Sequence, residues 1–181
     1  FDRDTNATGH PTRRHMLSAM TLLDLDEYAV RSGEASYLEL ADVLRQYARD
    51  FDRDGRELFR RMVFNILIGN TDDHARNHAC FWDGKALDLT PGYDICPQPR
   101  LGYSADLAMV VGHQGRAATL NNALSQAERF GLSEYEATEC VEAMTQVVEK
   151  HWKALFSAAG MEAGDIEYLA KATVLSPSVF D

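Results

Sequence analysis

The sequence has no apolar run of 18 residues, no cysteine pair at CxxC spacing and no surplus of positive charge. Each absence removes a class of protein. Without a long apolar stretch no helix is expected to span a membrane, and the opening FDRDTNATGH lacks the apolar centre of a signal peptide. Three cysteines, Cys80, Cys96 and Cys140, are odd in number and far apart. They fit neither a disulfide framework nor a thiolate metal pair, and a reducing cytoplasm is the expected setting. With 18 Lys and Arg against 28 Asp and Glu, the formal net charge is −10. That balance lacks the basic stripe that displaces counterions from nucleic acid, so DNA is not expected to be bound directly.

What is present is a chain of 181 residues, 45% apolar, enough for one core and one domain over residues 1–181. It begins on Phe1 with no initiator Met, which suggests part of a longer protein. FDRD occurs at Phe1 and again at Phe51, but the flanks differ and no repeat is read. Most segments have helical spacing. HMLSAMTLLDL is apolar on nearly every side and is expected to be a buried helix. Ser36 and Glu39 form a capping box, with Leu40, Val43, Leu44 and Tyr47 on one face behind it. Asp54 and Glu57 suggest a second helix start. Its apolar run Met62–Ile68 is interrupted only by Asn65, and Gly69 is placed to cap its C-terminus. The ACFW-DGK-ALDL stretch reads as a hairpin, and proline-rich TPGYDICPQPR as an extended loop. Ser133 and Glu136 open a long helix with apolar Ala137, Cys140, Val141, Met144, Val148, Trp152 and Leu155, and GDIEYLAKATV a last one. The fold class is mainly α with one small β-hairpin.

Chemistry concentrates in GNTDDHARNHAC, residues 69–80, directly behind the most apolar run. A loop mounted on a core helix is held rigidly, as positioning catalysis requires. One reading is phosphoryl transfer. An Asp that accepts a hydroxyl proton, an Asn five residues later and an Asp beyond a hairpin are the order used by protein kinases. Asp72, Asn77 and Asp94 follow it, and carboxylate and amide oxygens suit a hard cation such as Mg²⁺. Another is a metal-dependent phosphohydrolase, with His74 and His78 as i, i+4 ligands beside Asp72 or Asp73. Against it, His10, His15, His113 and His151 are scattered and supply no third ligand. Ordinary loop roles, a capping Asp and backbone-bonded histidines, remain a third reading.

The stretch NILIGNTDDHARNHACFW…ALDLTPGYDI resembles the catalytic segment of the HipA-like serine/threonine kinases, toxins of bacterial toxin–antitoxin pairs. Their D-x-H-x-x-N loop, short hairpin and L-T-P-x-Y-D segment stand here as Asp72–Asn77 and Leu89–Asp94. The resemblance implies a helical C-terminal catalytic lobe, and ATP and Mg²⁺ as cofactors. Asp72 would be the catalytic base and Asn77 and Asp94 the metal ligands. His74, Ala75 and Arg76 would flank the ATP phosphates, with Tyr93 beside the metal Asp and Phe1 at an adenine hinge. Asp73 stands where some relatives carry Gly and is expected to be an exposed or capping carboxylate. His78 and Cys80 are expected to be structural. The implied partners are a HipB-like antitoxin and a protein substrate, with DNA reached only through the antitoxin; the helix expected to meet DNA retains only Arg129. All four lysines, Lys85, Lys150, Lys153 and Lys171, follow the loop. No phosphate-covering N-lobe precedes it, so the 181 residues alone are expected not to transfer phosphate. A lobe that only binds a partner is the alternative in that case.

Overall fold

The structure, a computed structural model, describes residues 2–5, 9–99 and 102–181. Its centre is the helix α4, Phe51–Ile68. From Met62 to Ile68 every side chain but Phe64 is buried, and Leu58, Phe59, Met62, Val63, Ile66 and Leu67 have no exposure at all. Each such side chain contributes roughly 1.5–3 kcal/mol by leaving water. Around α4 pack α3 (Tyr37–Tyr47), α5 (Leu120–Leu124) and α6 (Glu134–Ala158). The short helices α1 (Ala19–Leu22) and α2 (Glu27–Ser32) precede them, and α7 (Ala163–Ala172) leans on α6.

The helix ends follow the expected capping chemistry with two shifts. In α6 the Ser133 and Glu136 capping box forms as expected. In α3 the Ser36 hydroxyl accepts from the backbone of Leu38 and Glu39. Here the buried face is Tyr37, Leu40, Ala41 and Leu44, while Tyr47 is about half exposed. α4 starts earlier than the Asp54–Glu57 pattern suggests, at an N-cap provided by Asp50. Asp54 is instead buried, accepting from Arg53 and from the Leu89 backbone at 3.1 Å. Leu155, one of the apolar positions at helical spacing, lies on the exposed side of α6.

The largest departure is at residues 15–18. They form a strand, β3 (His15–Ser18), antiparallel to β4 (Ala79–Trp82), which pairs in turn with β5 (Leu87–Leu89). An apolar run this short fits strand or helix equally by periodicity. Ser18 decides the boundary, because its side chain accepts from the Thr21 backbone and opens α1. The expected hairpin is therefore present, with a third strand added to its edge in the order β3-β4-β5. A second small sheet pairs β1 (Arg3–Thr5) with β2 (Pro11–Arg13).

α4 stops at Gly69, whose φ of +70° is the left-handed conformation of a helix C-cap. A Cβ there would also lie 2.7 Å from the Thr173 carbonyl oxygen. The chain after α7 lies against this corner. The Leu175 amide donates to the Leu67 carbonyl at 2.7 Å, and Val174 and Val179 are buried.

Gly84 makes a clean comparison, with φ +93° and open space around its Cα. Gly84→Ala should cost only the left-handed backbone penalty, roughly 1–2 kcal/mol. Gly69→Ala should cost measurably more in urea unfolding, because its methyl meets Thr173. Equal costs at both positions would contradict the packed corner.

Candidate functional site

The loop after Gly69 turns through one 3₁₀ turn, Ala75–Asn77, before entering β4. Backbone bonds set its shape: Asn70 N–H donates to the Asn65 carbonyl, Thr71 N–H to Gly69 and Asn77 N–H to His74, at 2.9, 3.0 and 2.8 Å. Asp72 projects into solvent. Asn77 is buried, its amide nitrogen 3.3 Å from the Asp72 carbonyl oxygen that accepts from it. That orientation directs the amide nitrogen at the loop and leaves Oδ1 as the acceptor. Ala75 is fully buried, and His74 is half-buried with Nδ1 enclosed and unpartnered. The Arg76 side chain reaches Glu27 of α2, and the guanidinium beside it holds the Glu27 carboxyl below the usual range.

The second half of the site follows β5. Thr90 is buried; its amide donates to the Ala79 carbonyl at 2.9 Å, and its own carbonyl accepts from Arg61 Nη2 at 2.5 Å. Arg61, a nearly buried α4 residue, also contacts Glu57 at 2.9 Å. This anchors the start of the loop on α4. Asp94 is exposed and sits at φ +56°, a region that L-residues other than Asn and Asp seldom adopt.

Two bonds join the halves. The Tyr93 hydroxyl donates to the Arg76 carbonyl at 2.7 Å, and the Gln98 amide donates to the Gly69 carbonyl at 3.1 Å. Burial pushes the Tyr93 phenol above its ordinary pKa. The Asp72–Asn77 loop and the segment bearing Asp94 are thus fastened side by side. Phe1 lies outside the described residues.

One expectation fails. Asp73 is neither exposed nor a cap: it is 1% exposed, and its Oδ2 accepts from the Tyr37 hydroxyl, Asn65 Nδ2 and His78 Nε2. The last two distances are 2.7 and 2.9 Å. The signal for this was Asn65 itself, a lone amide in an apolar run. A buried amide is costly unless its hydrogen bonds are made. His78 is structural, as expected, and Cys80 is buried, which pushes its thiol up to about 12.

The model of the HipA-like C-terminal domain family matches residues 1–152. The chain belongs to this family. Among similar proteins, a Haemophilus influenzae protein named "Putative kinase" is 32% identical over 78 residues, 41% of this chain. The "Putative kinase Y4mE" of Sinorhizobium fredii is 26% identical over 98 residues, 52% of this chain. The matched stretches span 23% of each relative's length. HipA of Shewanella oneidensis MR-1, solved with HipB and its operator DNA, superposes with a TM-score of 0.69 at 15% identity. That match covers 94% of this chain and 44% of HipA. It establishes a shared fold.

In this HipA-like domain the donors available to a cation are oxygens: the exposed Asp72 and Asp94 carboxylates and the Asn77 amide. Such donors fit Mg²⁺. The histidine alternative fits poorly. His74 and His78 flank a single 3₁₀ turn in extended conformations, and His78 Nε2 is engaged by Asp73. Among the described residues no three His, Cys, Asp or Glu converge as ligands. No helix among them is long and apolar enough to cross a membrane.

Tyr93→Phe should lower stability by about 0.5–1.5 kcal/mol, the usual worth of one hydrogen bond. The phenol's pKa is raised in the fold, so its contribution is complete below the ordinary value of 10.0 and is lost as pH climbs through the folded value. Urea midpoints for mutant and wild type should therefore differ at pH 7 and converge at strongly alkaline pH. A deficit unchanged by pH would contradict the assignment.

Proposed function

We propose that this chain is the catalytic lobe of a HipA-like serine/threonine protein kinase, the toxin of a toxin–antitoxin pair. The observation that carries this reading is the pair of bonds, Tyr93 to Arg76 and Gln98 to Gly69, that fasten the Asp72–Asn77 loop to the Asp94 segment. They unite residues of the order and spacing that phosphoryl transfer uses. The kinase names of two relatives point the same way.

In this reading the Asp72 carboxylate orients a serine or threonine hydroxyl and accepts its proton, a role that needs the solvent-facing position it has. Asn77 and Asp94 hold Mg²⁺, and His74, Ala75 and Arg76 border the phosphates of ATP. Tyr93 keeps Asp94 against the loop through its bond to Arg76. Mg²⁺–ATP would supply the phosphoryl group and neutralise its charge. The matched stretches cover under half of each compared protein, so activity is proposed for the complete protein.

The proposed partners are a HipB-like antitoxin and a protein substrate, in the cytoplasm. The HipA neighbour was solved with HipB and operator DNA. Direct DNA contact by this chain is not proposed. Its net charge is −10, and Arg129 is engaged by Asp42 and by the Leu38 carbonyl.

A second reading, a kinase-like lobe that binds a partner without catalysis, draws on a different observation. Between α4, α6 and the loop after Asp94 lies a cavity of about 340 Å³ walled by Phe64, Ile95, Pro97, Val148, Trp152 and Phe156. Val147 and Leu155 beside it are 60% and 63% exposed.

Transfer of γ-phosphate from labelled ATP with Mg²⁺ by the complete protein distinguishes them. Asp72→Asn should reduce transfer by at least about 10²-fold, the low end for a lost general base. Full activity in that variant rejects the role of Asp72. An inactive wild type that still binds its partner favours the second reading.

A further inference from the structure

We propose that Asp73 is the positioning residue of the candidate loop, its buried carboxylate closing the loop from beneath and holding Asp72 outward. What the loop does rests on the kinase reading; how it is held rests on the geometry of the side chains.

Asp72 and Asp73 are adjacent, yet one is exposed and the other is buried. Burying a carboxylate is costly unless donors surround it. All three partners of Asp73 are side chains, and all converge on Oδ2: Tyr37 from the first turn of α3, Asn65 from the interior of α4, and His78 from the end of the loop, just before β4. One oxygen therefore ties the loop to two helices and to its own far end. Tyr37 and His78 also pack edge to face, with ring centroids 5.3 Å apart. Asn65 uses both ends of its amide, giving to Asp73 and accepting from Asn70 Nδ2 at 3.0 Å. Polar groups have been placed in an apolar core where Asp73 can use them.

The spacing makes the purpose specific. Asp73 and His78 bracket the 3₁₀ turn, and their bond staples its two ends together. Each stapled residue adjoins a site residue: Asp72 precedes Asp73, and Asn77 precedes His78. The five-residue step from Asp72 to Asn77 is thus the five-residue step of the staple, displaced by one. Fixing the inner pair fixes the outer pair.

The test compares Asp73→Asn, Asp73→Ala and Tyr37→Phe in the complete protein, by hydrogen exchange of the peptide over residues 69–79 and by kcat and ATP KM. Asp73→Asn keeps an acceptor oxygen in place and should stay within about 3-fold of wild type in both readouts, as a geometric role requires. Asp73→Ala should speed loop exchange at least about 10-fold while α4 stays protected, and lower kcat by about 10-fold or more at a similar KM. Tyr37→Phe removes one of three donors and should give an intermediate acceleration, so it decides the matter if the alanine variant does not fold. Wild-type exchange in both disruptive variants would overturn the proposal. So would an asparagine variant that behaves like alanine, since charge and not geometry would then matter. A wild type with no transferase activity would sink the kinase reading, leaving the exchange measurement to judge the anchor alone.

Discussion

A helix that runs through a core has to end without stranding its last carbonyls, and α4 meets that constraint at Gly69. The left-handed cap returns the Gly69 amide to Asn65 and Ile66. It also turns the Gly69 carbonyl outward, where the amides of Thr71 and Gln98 both reach it. One residue therefore finishes the helix, starts the loop that carries Asp72 and fastens the far side of the segment that carries Asp94. The site inherits its rigidity from burial of α4, because moving the loop requires moving the end of a helix packed on several sides.

The surface charges reinforce the same frame. On α4, Arg53 pairs with Asp54 and Asp88, while Arg49, just before the helix, pairs with Asp83 and Asp88. These bridges clip the hairpin onto the helix. Each is partly exposed and, screened by solvent, contributes little stability alone. Their effect lies in direction: they orient β5, and so the segment that leads to Asp94. In a chain of net charge −10 the arginines nearest the site are largely committed to internal contacts.

Much of this was legible in the sequence, and unevenly so. The α4 core run, its glycine cap, the hairpin and the capping box at Ser133 were all visible, because each depends on local chemistry. The pairing of residues 15–18 with β4 was not, since a strand partner more than 60 residues away leaves no local trace. Side-chain direction was the other blind spot. Asp72 and Asp73 are the same residue type side by side, and only the donors on α3, on α4 and at His78 determine which one turns inward. Leu155 shows the reverse case, an apolar residue at helical spacing on a helix that outruns the core it packs against.

The corner where the chain after α7 meets the end of α4 bears on how the protein is made. Thr173 and Leu175 close over Gly69 and Leu67, yet they lie beyond residues 1–152, the part that the family model matches. They are also synthesised roughly a hundred residues after the corner they cover, a lag on the order of 5–20 s at about 5–20 residues per second. For that interval on the ribosome the mount of the Asp72 loop exists without its lid. The site is thus completed in two instalments, and the later one comes from sequence outside the residues that the family model matches.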